Sequence, residues 1–133
     1  MDKSSDARLP TYAYFWVCNK HGSYRRCQSN EEVKNFKDGS PRKKSTIYKG
    51  GRKFFVSTVF LGIDHNFETT DGSDPILFET MVFDNTDAKT MYRDLYQDRY
   101  RTWEQAKIGH RKAVEYVNKN WPRLIPVASH DEE

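Results

Sequence analysis

Two apolar strands followed by a well-capped amphipathic helix constrain this chain more than any other feature. The strands read KFFVSTVFLGIDH (53–65) and PILFETMVF (75–83), and the helix reads TWEQAKIGHRKAVEYV (102–117). Segments rich in aromatic and β-branched residues suit a pleated, half-buried surface. In the helix, Trp103, Ala106, His110, Ala113 and Val117 recur at steps of three and four. They form one stripe, and that stripe faces the sheet. Thr102, with Gln105 three residues on, supplies a capping box at the helix start.

Upstream, residues Tyr12 to Cys18 read as a strand, Asn19 to Gly22 as a turn, and Ser23 to Gln28 as the return strand. Ser29 with Glu32 is a second capping box, opening a short helix that runs through Phe36 and stops at Asp38-Gly39. Residues 40–45 read as a polar basic loop. Thr46 to Lys49, Gly50-Gly51 and Arg52 onward then read as a tight hairpin, because Gly-Gly supplies the positive φ of a two-residue turn. The long strand extends to about Ile63, with Phe55, Ser57, Val59, Leu61 and Ile63 on one face and Val56, Thr58, Phe60, Gly62 and Asp64 on the other. Apolar residues on both faces predict a central strand covered on both sides for part of its length. Pro75 suits the first position of the next strand. Residues 66–74 and 84–87 read as loops, and Met91 to Tyr100 as a further strand.

The fold class expected is α+β. It comprises a mostly antiparallel sheet of about five strands, a C-terminal helix packed on one face, and a short helix after the first hairpin. One domain over 11–124 suits the length of 133 residues, with a polar lead-in over 1–10 and a polar tail over 125–133. Eight Tyr, eight Phe and three Trp mean that large rings dominate its core. Residues Arg26 to Val33 and Arg99 to Ala106 echo one another as Arg, a hydroxyl cap, Glu and a small apolar residue, which marks both as strand-into-helix junctions.

No run of about 18 apolar residues is present to span a membrane, and the first ten residues lack the apolar stretch of a signal peptide. The expected setting is therefore a cytoplasm, where two cysteines stay reduced. Charge is unevenly spread. Residues 20–53 carry eleven Lys and Arg against three carboxylates, whereas residues 64–98 carry nine carboxylates against two cations. Such a split suits a bipolar surface that orients on a charged partner or on a second copy.

Asp64, His65, Glu79 and His110 lie inside otherwise apolar elements, where a charge or imidazole needs a reason. Brought together, they offer a His/carboxylate set for a divalent metal with an open position, or a general base with an orienting carboxylate. Their spacing matches no established metal motif, and Glu79 has an alternative partner in Arg99. Cys18, His21 and Cys27 bracket the first turn as a partial zinc set without a fourth ligand, or as packed thiols. Arg42, Lys43, Lys44, Arg52 and Arg99, with Tyr48, Phe54 and Phe55 among them, are the candidate ligand-binding residues. Cations beside rings suit phosphate or carboxylate recognition. The acidic half argues against a long polyanion, and no helix-turn-helix or RNP element points to sequence-specific nucleic-acid binding.

The runs VSTVFLGIDH (56–65), LFETMVF (77–83) and RYRTWEQA (99–106) followed by Gly109-His110 resemble a group of small uncharacterised proteins encoded by tailed phages and prophages. The resemblance spans roughly residues 54–117. It implies a phage-encoded protein made in a bacterial host cytoplasm, and it implies no activity. The function expected is a binding module that acts on a host protein or defence factor. A nucleotide-type small-ligand binder comes second and a metal-dependent hydrolase third. No cofactor is called for by any of these residues outside the third reading.

Overall fold

The computed structural model describes residues 9–68, 71–87 and 92–124. The chain opens with a 3₁₀ turn over Thr11–Tyr14, followed by β1 (Trp16–Cys18) and β2 (Tyr24–Arg26), which pair antiparallel as a sheet of their own. A single helical turn, α1 (Asn30–Val33), leads to β3 (Lys43–Lys49), β4 (Arg52–Phe60), β5 (Phe78–Asp84) and β6 (Tyr92–Tyr100). These four form one antiparallel meander in sequence order. The helix α2 (Trp103–Asn120) follows, and a 3₁₀ turn over Trp121–Arg123 closes the described chain. The architecture is the α+β class expected, mostly antiparallel with a C-terminal helix on the sheet and a short helix after the first hairpin, its strands divided between a two-stranded and a four-stranded sheet. The lead-in and the tail fall outside the described residues, apart from Leu9 and Pro10.

Local chemistry explains most of these boundaries. Gly50 and Gly51 both have positive φ, +57° and +82°, as the β3–β4 turn requires. The Thr102 hydroxyl accepts from Gln105 N at 3.0 Å, and the Gln105 side chain answers on Thr102 N. Both donors at the start of α2 are satisfied in this way. Ser29 caps α1 by accepting from Glu32 N, while the Glu32 carboxylate takes Gln28 N.

Several boundaries differ from expectation: residues 12–14 form the 3₁₀ turn and not the start of a strand, and the short helix ends at Val33 and not at Phe36. β3 begins at Lys43, so Lys43, Lys44 and Ser45 lie in a strand and not in a loop. Lysines are tolerated there because β3 is the edge of the sheet. β4 ends at Phe60 instead of Ile63, because Gly62 adopts φ +81° and the Phe36 ring fills the space a side chain would need. β5 begins at Phe78 rather than Pro75.

Along β4 burial alternates strictly. Phe54, Val56, Thr58 and Phe60 are buried, whereas Phe55, Ser57 and Val59 are half-buried. The buried set points to α2, whereas the residues of the other face are only half-buried among the described residues. In register with it on β5 stand Val82 opposite Val56, Thr80 opposite Thr58 and Phe78 opposite Phe60. From α2, Ala106, Gly109, His110, Ala113 and Val117 are buried, while Trp103, the first of the five residues expected to face the sheet, is half-buried against Phe78. The small residues let the helix lie close. A Cβ at Gly109 would collide with the Tyr100 hydroxyl.

The inner core is two apolar clusters with a polar layer between them. One gathers Trp16, Cys18, Phe60, Leu77, Phe78 and Ala106, and the other Phe54, Val56, Val82, Ala113, Val117 and Leu124. Burying each of the larger side chains contributes about 1.5–3 kcal/mol. Thr58, Thr80 and His110 occupy the level in between.

Candidate functional site

Asp64, His65, Glu79 and His110 do not converge. Asp64 lies past the end of β4, where its Oδ1 accepts from Asn66 N at 2.7 Å and Ile76 N at 2.9 Å. It clips a loop. The His65 Nδ1 stands 2.8 Å from the Ile63 carbonyl, and its ring lies beside Phe67. Glu79 accepts from Gln97 Nε2 at 2.7 Å and Arg99 Nε at 3.0 Å. His110 bonds instead to Thr58, which bonds in turn to Thr80. Glu79 and Thr80 are consecutive in a strand, so they project to opposite faces, and the sheet separates Glu79 from His110. Among the described residues no group of three or more His, Cys, Asp or Glu is placed to hold a metal ion.

The cysteines are both free and buried. Burial pushes the Cys18 thiol up to about 11 and also raises that of Cys27. Thiols held protonated in this way are poor nucleophiles and poor metal ligands.

The cationic candidates are dispersed. The Arg52 guanidinium donates to Asp84 Oδ2 at 2.7 Å, Trp121 O at 2.8 Å and Leu124 O at 2.7 Å, so it fastens the end of α2 to the sheet. That engagement leaves a quarter of the Arg52 side chain exposed. Arg99 is held by Glu79. Arg42 is exposed beside a small cavity of about 180 Å³ that it shares with Lys37, Ser40, Pro41, Val59 and Phe60. Lys43 and Lys44 stand opposite Thr58 and Ser57 respectively, and alternation sends them to different faces of the sheet.

The outer face, the one away from α2, presents a band of rings and cations. Thr46, Phe55 and Phe83 align across three strands, and Lys44, Ser57, Met81 and Gln97 align beside them across four. The Lys44 ammonium lies 5.2 Å from the centre of the Phe55 ring, and the Lys53 ammonium lies 5.3 Å from it. Lys53 also stands 5.9 Å from the Tyr48 ring, which is 70% exposed. These contacts are within cation–π reach and hold the two ammoniums over the face. At its far end the band closes on the Glu79–Gln97–Arg99 cluster.

The inner face carries a different polar arrangement. Ser45 Oγ is 2.8 Å from His110 Nε2, His110 Nδ1 is 2.7 Å from Thr58 Oγ1, and Thr58 Oγ1 is 2.6 Å from Thr80 Oγ1. Burial, with the nearby Lys43 charge, lowers the His110 pKa below its usual 6.5. The imidazole is therefore neutral near pH 7. A cavity of about 350 Å³ lined by Lys43, Ser45, His110, Arg111, Val114 and Glu115 opens onto this pair. Sequence reasoning found His110 but missed Ser45, Thr58 and Thr80. The available signal was a pair of threonines at matching inner positions of two adjacent apolar strands.

No protein-family model, no curated protein and no solved structure matches the chain.

Proposed function

We propose that the protein is a binding module that receives an acidic protein surface on the outer face of its sheet. The observation that carries this reading is the pair of lysines anchored over Phe55. Ammoniums held in place by a ring meet carboxylates with less ordering cost than free side chains do, and the half-buried Phe55, Phe83 and Met81 beside them supply apolar contact. Because the lysines already occupy the Phe55 ring, stacking of nucleic-acid bases there would first have to displace them.

Titration with poly-L-glutamate and with host lysate proteins tests the reading. Lys44→Glu with Lys53→Glu is expected to abolish salt-sensitive binding to both, whereas Lys112→Glu on the exposed side of α2 leaves it intact. Equal binding by both variants overturns it.

A second reading, a nucleotide-type small-ligand binder, has one observation in its favour. A hollow of about 610 Å³ lies along the first hairpin with Tyr24, Lys20, Arg25, Asn19 and Ser23 on its walls, a size that suits a small ligand. Thermal stabilisation by one member of a nucleotide panel supports it, and no shift with any member removes it. A metal-dependent hydrolase finds no assembled ligand set among the described residues.

A further inference from the structure

We infer that Ser45 is a nucleophile activated by His110, in a site for carboxylic esters that carry an anionic group. The site lies on the face of the sheet opposite the proposed docking surface, so either reading can fail without the other. The geometry has the two contacts that covalent catalysis requires: nucleophile to base at 2.8 Å, and base to an orienting group at 2.7 Å. His110 is 2% exposed, so its ring is fixed by packing, while Ser45 is half-buried and lines the cavity. Each element contributes one part. The edge strand β3 supplies the hydroxyl, α2 the imidazole, and Thr58 and Thr80 from the two central strands supply the relay behind it.

Hydrogen-bond direction decides whether this pair can work. Ser45 is activated when its O–H donates to Nε2, Nδ1–H donates to Thr58, and Thr58 donates to Thr80. In the reverse order Nε2 carries the proton and cannot accept another. The proposal assigns the first order. Thr58 is then a positioning residue that holds the Nδ1–H tautomer.

The step balances without a cofactor or oxidant. Ser45 Oγ bonds to the ester carbonyl carbon as its proton passes to His110 Nε2. The bond from that carbon to the alcohol oxygen then breaks, and the imidazolium returns the proton to the departing alcohol. Water next attacks the acyl-serine, gives a proton to His110, and frees the acid as Ser45 recovers its hydrogen. The net reaction is ester hydrolysis. Lys43 and Arg111 line the cavity against one carboxylate, Glu115, and the net positive charge favours an anionic substrate and the developing oxyanion.

The test treats the folded full-length protein with a fluorophosphonate probe and locates the adduct by peptide mass spectrometry. The expected result is modification of Ser45 by about 10²-fold or more over exposed serines such as Ser23. Ser45→Ala should lose it, Thr58→Val should weaken it, and Thr58→Ser should restore it. An unmodified Ser45, or one no more reactive than Ser23, overturns the proposal. The second measurement needs no variant: ¹⁵N NMR of the His110 ring in the wild-type protein. A proton on Nδ1 with a bare Nε2 supports the assignment, and a proton on Nε2 rejects it.

Discussion

The two faces of the four-stranded sheet are made from the same strands and differ in burial. Phe54 and Phe55 are adjacent in β4. The first is fully buried against the end of α2, and the second is half-buried with two lysines over its ring. Two of the ion pairs differ in the same way. Arg52–Asp84 joins the sheet to the residues after α2, with side chains 24% and 9% exposed, whereas Arg99–Glu79 spans neighbouring strands on the outer face at 39% and 11%. Equal residue types thus stabilise on one side and are presented on the other. What differs is the helix.

The largest expected effect comes from truncating a ring on each side. Phe78 is fully buried among Tyr24, Phe60 and Trp103. Phe78→Ala removes those contacts and leaves a cavity that costs about 3–5 kcal/mol. Phe55→Ala on the outer face should cost about 1 kcal/mol or less, while releasing Lys44 and Lys53 from their shared ring. Urea denaturation of both variants checks the pair. Equal losses would show that the outer face is as much core as the inner one.

The ion pairs give a smaller contrast. Asp84→Asn leaves the Arg52 guanidinium without its carboxylate, although the carbonyls of Trp121 and Leu124 still accept from it. Breaking a fully buried pair costs about 3–5 kcal/mol, and with Arg52 a quarter exposed about 2 kcal/mol is expected. Glu79→Gln should cost under about 1 kcal/mol, since Arg99 reaches solvent. A reversed order in denaturation would mean that the outer cluster carries fold stability, which would weaken its role as part of a presented surface.

Sequence reading succeeded where the determinants are local. Spacing placed four of the five buried positions of α2 in one stripe, the Thr102–Gln105 box marked its start, and Gly50-Gly51 marked the hairpin. It failed where register decides. Glu79 and His110 were legible as polar residues in apolar surroundings, but which face each takes depends on Thr80 pairing with Thr58, a relation 22 residues apart. The open face was hidden because Phe55 and Phe83 are as apolar as their buried neighbours. Ser45 was missed because a run of lysines reads as a loop, although lysine stems lie readily along an edge strand.

The smallest effect tests the two faces through neighbouring lysines. His110 has its pKa lowered by burial first and by Lys43 second. Below its ordinary value of 6.5, the unfolded imidazole takes a proton that the folded one refuses. The unfolded state then binds more protons, so stability falls as pH drops from 6.5 toward the folded pKa and levels off below it. A separate loss begins as pH falls into the usual carboxylate range. It runs as the unfolded carboxyls take protons that the folded ones refuse. Burial raises the Asp84 carboxyl but Thr86 and Arg52 lower it further, and Arg25 holds that of Glu32 at about 2, so the loss levels off only once these folded groups protonate. Lys43→Met removes one cause of the first loss. The folded pKa of His110 should rise, and the drop in stability between about pH 7 and pH 5.5 should shrink. Lys44→Met, one residue along β3 but facing outward, should leave that drop unchanged. If both substitutions altered it equally, Lys43 would act through general surface charge, and the sheet would not be separating two electrostatic environments.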